Sequence, residues 1–212
     1  MERMRTVALA ATAVVVGVML MIPANPGVAE HHEGSVAEFD SDGNLLRPVG
    51  YREWIFVGTP VTPNELNGGA APFPEFHAVY MDPGSWDHYK KTGKFRDGTV
   101  LIKELISVGD KQATSGKGYF MGEYLGLEAA VKSKKHFPDE PGNWAYHSFT
   151  TPGSPMAGEE NRENMHEGAP LKDKAKAFPA GVCAACHVAS AREDMVFTQF
   201  YPVLRAAKAA VK

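Results

Sequence analysis

The chain has 212 residues, 44% of them hydrophobic, with 25 acidic and 22 basic side chains and a formal net charge of −3. That balance is too weak to draw a nucleic acid or a membrane surface by charge, so no nucleic-acid partner is expected. No internal repeat is present, and the length left after the N-terminal segment suits one domain.

The first segment, residues 1–29, has Arg3 and Arg5, then an apolar run from Val7 to Ile22, then Asn25-Pro26-Gly27-Val28-Ala29. The run is about 16 residues long, short of the roughly 20 that span a bilayer, and its small-residue end suits signal peptidase. No cysteine stands directly after it, so a lipidated N-terminus is not expected. The segment reads as a cleaved signal peptide, with residues 30–212 as one periplasmic domain.

Residues 30–50 are polar and read as irregular. Tyr51 to Val61 is aromatic and β-branched, a first strand. Pro, Gly and Asn crowd residues 62–74, hence a loop. Residues 75–81 alternate into a second strand, and Ser85 caps a short helix through Lys91 that Gly93 stops. Thr99–Val108 carries the strongest strand signal, followed by strands over 119–131 and 143–150. Residues 151–181, rich in Pro, Gly and charge, read as a long surface excursion. From Cys183 onward the pattern is helical, with Val196, Phe197, Phe200 and Leu204 at helical spacing and Pro202 as a kink or restart.

Residues 183–187 read Cys-Ala-Ala-Cys-His and hold both cysteines of the chain. Cys-x-x-Cys-His is the attachment signature of c-type haem, in which two thiols add to the porphyrin vinyls and the imidazole binds iron. A thioredoxin-like pair needs a βαβ setting and no histidine. A disulfide here would close almost no loop, and zinc would need further ligands at finger spacing. One covalent haem c is therefore expected, held by Cys183, Cys186 and His187, with His187 on the iron. The late position of the motif argues against a small electron-transfer cytochrome, and the strands argue against a four-helix bundle. The expected class is α+β: an antiparallel sheet with a few helices, the haem between sheet and C-terminal helix, and an open distal position. A strong distal ligand would instead mark an electron carrier, with Met121, Met81 and His77 as the candidates.

The segments YREWIFVGTPVTPNELN (51–67), FRDGTVLIKELISVG (95–109), GYFMGEYLGLEA (118–129), and CAACHVAS with VFTQFYPVLRAAK (183–208) resemble the cytochrome P-460 family. The resemblance spans nearly the whole chain after residue 29, in order. It implies a periplasmic mono-haem c enzyme that oxidises hydroxylamine, chiefly to nitrous oxide, passing electrons to a small periplasmic acceptor such as a cytochrome c. It also implies a homodimer. The sister group, the cytochromes c′-beta, shares the fold and binds nitric oxide without that catalysis.

What separates the groups is a lysine bonded through nitrogen to a haem meso carbon, and the matching position is Lys103. From the residues alone, both faces of its strand carry apolar side chains, and an exposed edge lysine is the better reading; the resemblance reverses this. Burial beside Leu101 and Leu105 would favour the neutral, nucleophilic amine. Lys90 and Lys91 read as a solvated helix face and Lys94 as a turn charge. The resemblance places a distal carboxylate at Glu128, suited to accept protons from the substrate, with Glu123 and Glu104 as weaker alternatives. His77 stands where some members have arginine, which leaves the role of that position open.

Overall fold

The computed structural model describes residues 35–151, 171–179 and 181–211. The segment read as a signal peptide and most of the 151–181 excursion lie outside the described residues. Five strands make one antiparallel sheet: β2 (Ile55–Gly58), β3 (Phe76–Met81), β4 (Val100–Val108), β7 (Met121–Lys132) and β8 (Trp144–Ser148), in the order β2-β3-β4-β7-β8. Helices α1 (Pro83–Thr92), α2 (Ala184–Ser190) and α3 (Pro202–Ala209) complete an α+β fold, as expected.

The sheet is covered on both faces, which explains why β4 is apolar on both sides. One face presents Val79, Met81, Leu101 and Trp144 to Tyr89 of α1 and to Tyr201 and Leu204 at α3. The other presents Val100, Ile102, Leu127, Ala129 and Val131 to Leu45, Tyr51, Phe149 and Ala175. Side chains alternate between faces along a strand. In β4, Leu101 and Lys103 therefore belong to the first face and Ile102 and Glu104 to the second.

Several local expectations need correction. Residues 30–50 include a short strand, β1 (Leu45–Leu46), which pairs with β9 (Lys174–Ala175) because Leu45 buries completely in the second core. Residues 51–53 form a 3-10 turn, so the first sheet strand begins at Ile55. A small hairpin, β5 (Gln112–Ala113) with β6 (Gly116–Lys117), interrupts the loop before β7.

Helix α1 is capped by Asp82, whose carboxylate accepts from Ser85 N at 2.8 Å, with Pro83 in its first turn. Ser85 thus lies inside the helix, one turn after the true cap. Gly93 ends α1 with φ 65°, as its position predicts. The C-terminal helical pattern is broken. Asp194 and Met195 take φ values of 42° and 66°, Thr198–Phe200 is a 3-10 turn, and Pro202 restarts the chain as α3.

Candidate functional site

Lys103 and Glu128 face each other across β4 and β7 as direct register partners, and Lys103 Nζ lies 2.6 Å from Glu128 Oε2. The pair is partly screened, with 28% and 20% of the two side chains exposed. The Lys103 ammonium lies 5.5 Å from the Phe73 ring centroid, so the 62–74 loop overhangs the pair. That loop is fastened at its base by the Val61–Phe76 bridge and the hydrogen bond from His77 N to Pro60 O at 2.9 Å.

The Cys183–His187 motif sits over the same sheet face. Cys183 forms the N-cap position of α2, while Cys186 and His187 lie within the helix. Both cysteines are free thiols; Cys183 is half-buried and Cys186 exposed. The His187 ring packs between Tyr146 of β8, at 4.5 Å between centroids, and Phe197, at 4.6 Å. Its Nδ1 meets the Met195 carbonyl at 2.5 Å. A carbonyl only accepts, so Nδ1 carries the proton and the Nε2 lone pair is the one left for a metal.

Burial holds the His187 imidazole below its ordinary pKa, with the Met195 hydrogen bond opposing and Lys103 and Glu128 acting through space. Burial raises the Cys183 thiol, Glu128 adds to the rise and Lys103 opposes it. The two halves of the site are therefore within electrostatic reach of one another.

The alternative carboxylates separate cleanly. Glu104 points to the opposite face, where Tyr51 Oη (2.7 Å), Arg52 Nε (2.6 Å) and Tyr80 Oη (3.3 Å) donate to it. Glu123 lies exposed near the start of β7. His77 shares the Lys103 face and pairs through Nε2 with buried Glu75 Oε1 at 3.3 Å, beneath Phe73. Met81 is fully buried in the first core and Met121 is half-exposed at the far end of β7. Lys90 pairs with Asp87 on the α1 surface, and Lys91 and Lys94 are exposed.

Sequence reasoning missed Tyr146, Phe197 and the Met195 carbonyl. Alternation along β8 puts Tyr146 on the Lys103 face, but a peptide carbonyl leaves no signature in a sequence.

The donor set fits a haem. A soft thiol pair and an oriented imidazole lie together, and the Tyr146 hydroxyl is buried without a hydrogen-bond partner among the described residues. Val182 and Val188 flank the motif 63% and 61% exposed, apolar surface that a porphyrin would cover. An antiparallel sheet facing such a ligand helix defines a haem-protein site unlike that of an all-helical cytochrome. Residues 48–198 match the family model described as Cytochrome P460, and the chain belongs to that family. The membership implies a haem cofactor. No curated protein matches the chain.

Proposed function

We propose that this protein is a periplasmic mono-haem c enzyme, working as a homodimer, that oxidises hydroxylamine to nitrous oxide at a haem also bonded to Lys103. The observation that carries the reading is the Lys103–Glu128 pair on the sheet face that carries Tyr146 and receives His187. Cys183 and Cys186 supply the thioethers and His187 the iron ligand through Nε2. When bound, the haem would supply a redox-active iron able to take electrons from hydroxylamine.

Glu128 first serves Lys103. A proton passed over the 2.6 Å contact leaves a neutral amine, the form able to attack carbon. Lys103 would hold the haem through that nitrogen; such a bond would replace one N–H and one C–H, so its formation would need a two-electron oxidant such as a peroxide or dioxygen. The ammonium charge is then gone, and Glu128 is released from its ion pair to face substrate. Two hydroxylamine molecules yield one nitrous oxide and one water with four protons and four electrons. Glu128 accepts the protons in turn and passes them to solvent through its exposed edge. A small periplasmic c-type cytochrome takes the electrons.

A cytochrome c′-beta-like nitric oxide binder is the competing reading, favoured by the ion pair itself, in which Lys103 Nζ is engaged with Glu128 Oε2 and not with a haem carbon. Lys103→Met separates the two. The proposal expects the variant to keep covalent haem, lose one protein–haem bond in the mass spectrum of the haem peptide, and lose hydroxylamine turnover. The ferrous Soret band, displaced far to the red in the wild type, returns to an ordinary c-type position. An ordinary wild-type spectrum, or full activity in the variant, overturns it.

A further inference from the structure

Glu193 to Val196 form a tight reversal closed by two backbone hydrogen bonds, Val196 N to Glu193 O at 2.7 Å and Glu193 N to Val196 O at 3.3 Å. Both central residues have positive φ, 42° at Asp194 and 66° at Met195. This is the pattern of a type I′ turn, which favours Asn-Gly, yet a methionine occupies the position where glycine belongs. An unbranched L-residue held there is strained, and such strain persists only where surrounding contacts enforce it.

Those contacts are present at three of the four residues. Tyr89 Oη donates to Glu193 Oε2 at 3.1 Å, and Lys208 Nζ lies 2.7 Å from Glu193 Oε1. Lys132, with only 11% of its side chain exposed, places Nζ 3.0 Å from Asp194 Oδ1 and 2.6 Å from the Gly142 carbonyl. Trp144 Nε1 adds a longer bond to the same Asp194 oxygen at 3.4 Å. Val196 is buried in the first core. Gly142 makes the approach possible, because a Cβ there would come within 3.1 Å of Asp194 Oδ1 and 3.2 Å of Met195 Cγ. The product of all this fastening is one carbonyl, that of Met195, set 2.5 Å from His187 Nδ1.

The geometry points to a strained clamp that tunes the proximal ligand: Lys132, acting through Asp194, is a positioning residue that fixes the Met195 carbonyl on His187 Nδ1–H and thereby lowers the iron reduction potential. The physical link is direct. A hydrogen bond accepted from Nδ1–H makes Nε2 a stronger donor, and a stronger donor favours ferric over ferrous iron. Without the clamp, Met195 relaxes out of the left-handed region and its carbonyl turns from the ring.

The inference rests on His187 as the iron ligand but not on hydroxylamine as substrate. Its test is potentiometry and ferrous resonance Raman spectroscopy of the holoprotein. In Asp194→Ala the iron–histidine stretch is expected to fall in frequency and the ferric-to-ferrous ratio at a fixed potential to drop by about threefold or more. Asp194→Asn keeps an oxygen for Lys132 and Trp144 and should restore both values.

Adding Met195→Gly to Asp194→Ala should also recover them, because glycine holds positive φ without enforcement. If Asp194→Ala does not fold, Lys132→Gln gives the same readout. An unchanged potential and stretch in a folded Asp194→Ala or Lys132→Gln protein overturn the clamp alone, leaving the proposed activity intact. Absence of any iron–histidine stretch in the wild type overturns the ligand assignment and the clamp with it.

Discussion

Replacing Glu104 and Glu128 one at a time should give opposite phenotypes. Glu104→Ala removes the acceptor for Tyr51, Arg52 and Tyr80, bonds of 2.7, 2.6 and 3.3 Å. The Arg52 side chain is 65% exposed and returns its head group to water, so its loss costs a few tenths of a kcal/mol. Tyr51 is only 8% exposed and has no such recourse. Losing the Glu104 acceptor at this buried hydroxyl, which keeps only Tyr124 as a neighbour, costs about 1–3 kcal/mol, and the longer Tyr80 bond adds about 0.5 kcal/mol.

The total of about 2–4 kcal/mol lowers the melting temperature by roughly 5–15 °C for a domain of this size. Glu104→Gln retains an acceptor oxygen and should stay within about 1 kcal/mol of wild type with turnover preserved. Glu128→Gln, at a half-open pair, should be as stable as wild type while hydroxylamine-dependent reduction of a cytochrome c acceptor falls by about 10²-fold or more. Thermal unfolding and that reduction assay read the two effects separately. A stable Glu104→Gln protein without activity, or a fully active Glu128→Gln protein, refutes the placement of the working carboxylate.

His147 is fully buried, its Nδ1 meets the Ala175 carbonyl at 3.1 Å, and burial lowers its pKa from 6.5 to about 4. Below pH 6.5 the unfolded chain takes a proton that the folded one refuses until about pH 4. Stability is therefore complete above 6.5 and declines toward 4, by about 3 kcal/mol in all. His147→Gln, which keeps a donor for Ala175, should flatten that decline in urea unfolding at about pH 7 and pH 4.5; an undiminished slope would assign it to other groups. Gly126 shares the Glu128 face, and a Cβ there would collide with the Thr150 side chain, whose Oγ1 accepts from Leu127 N at 3.2 Å. Gly126→Ala should cost about 1–3 kcal/mol by urea unfolding, and wild-type stability would rule out the close approach.

What depends on neighbours along the chain was legible in the residues alone. Cys183, Cys186 and His187 are close enough in sequence for one short helix to present all three, and runs such as Val100–Val108 commit to strands through β-branched and apolar content. Gly93 was legible as a helix stop because only local φ decides it. Tertiary structure decided the face. With both sides of β4 apolar, alternation could not say whether Lys103 or Glu104 looks toward the haem motif. The answer came from the pairing of Lys103 with Glu128 across β4 and β7 and from which core each neighbour joins. The turn at Asp194–Met195 was equally hidden, since its helical spacing is overridden by contacts from Lys132, Trp144, Tyr89 and Lys208. Residue identity encodes propensity, whereas register and enforced strain arise only when distant segments meet.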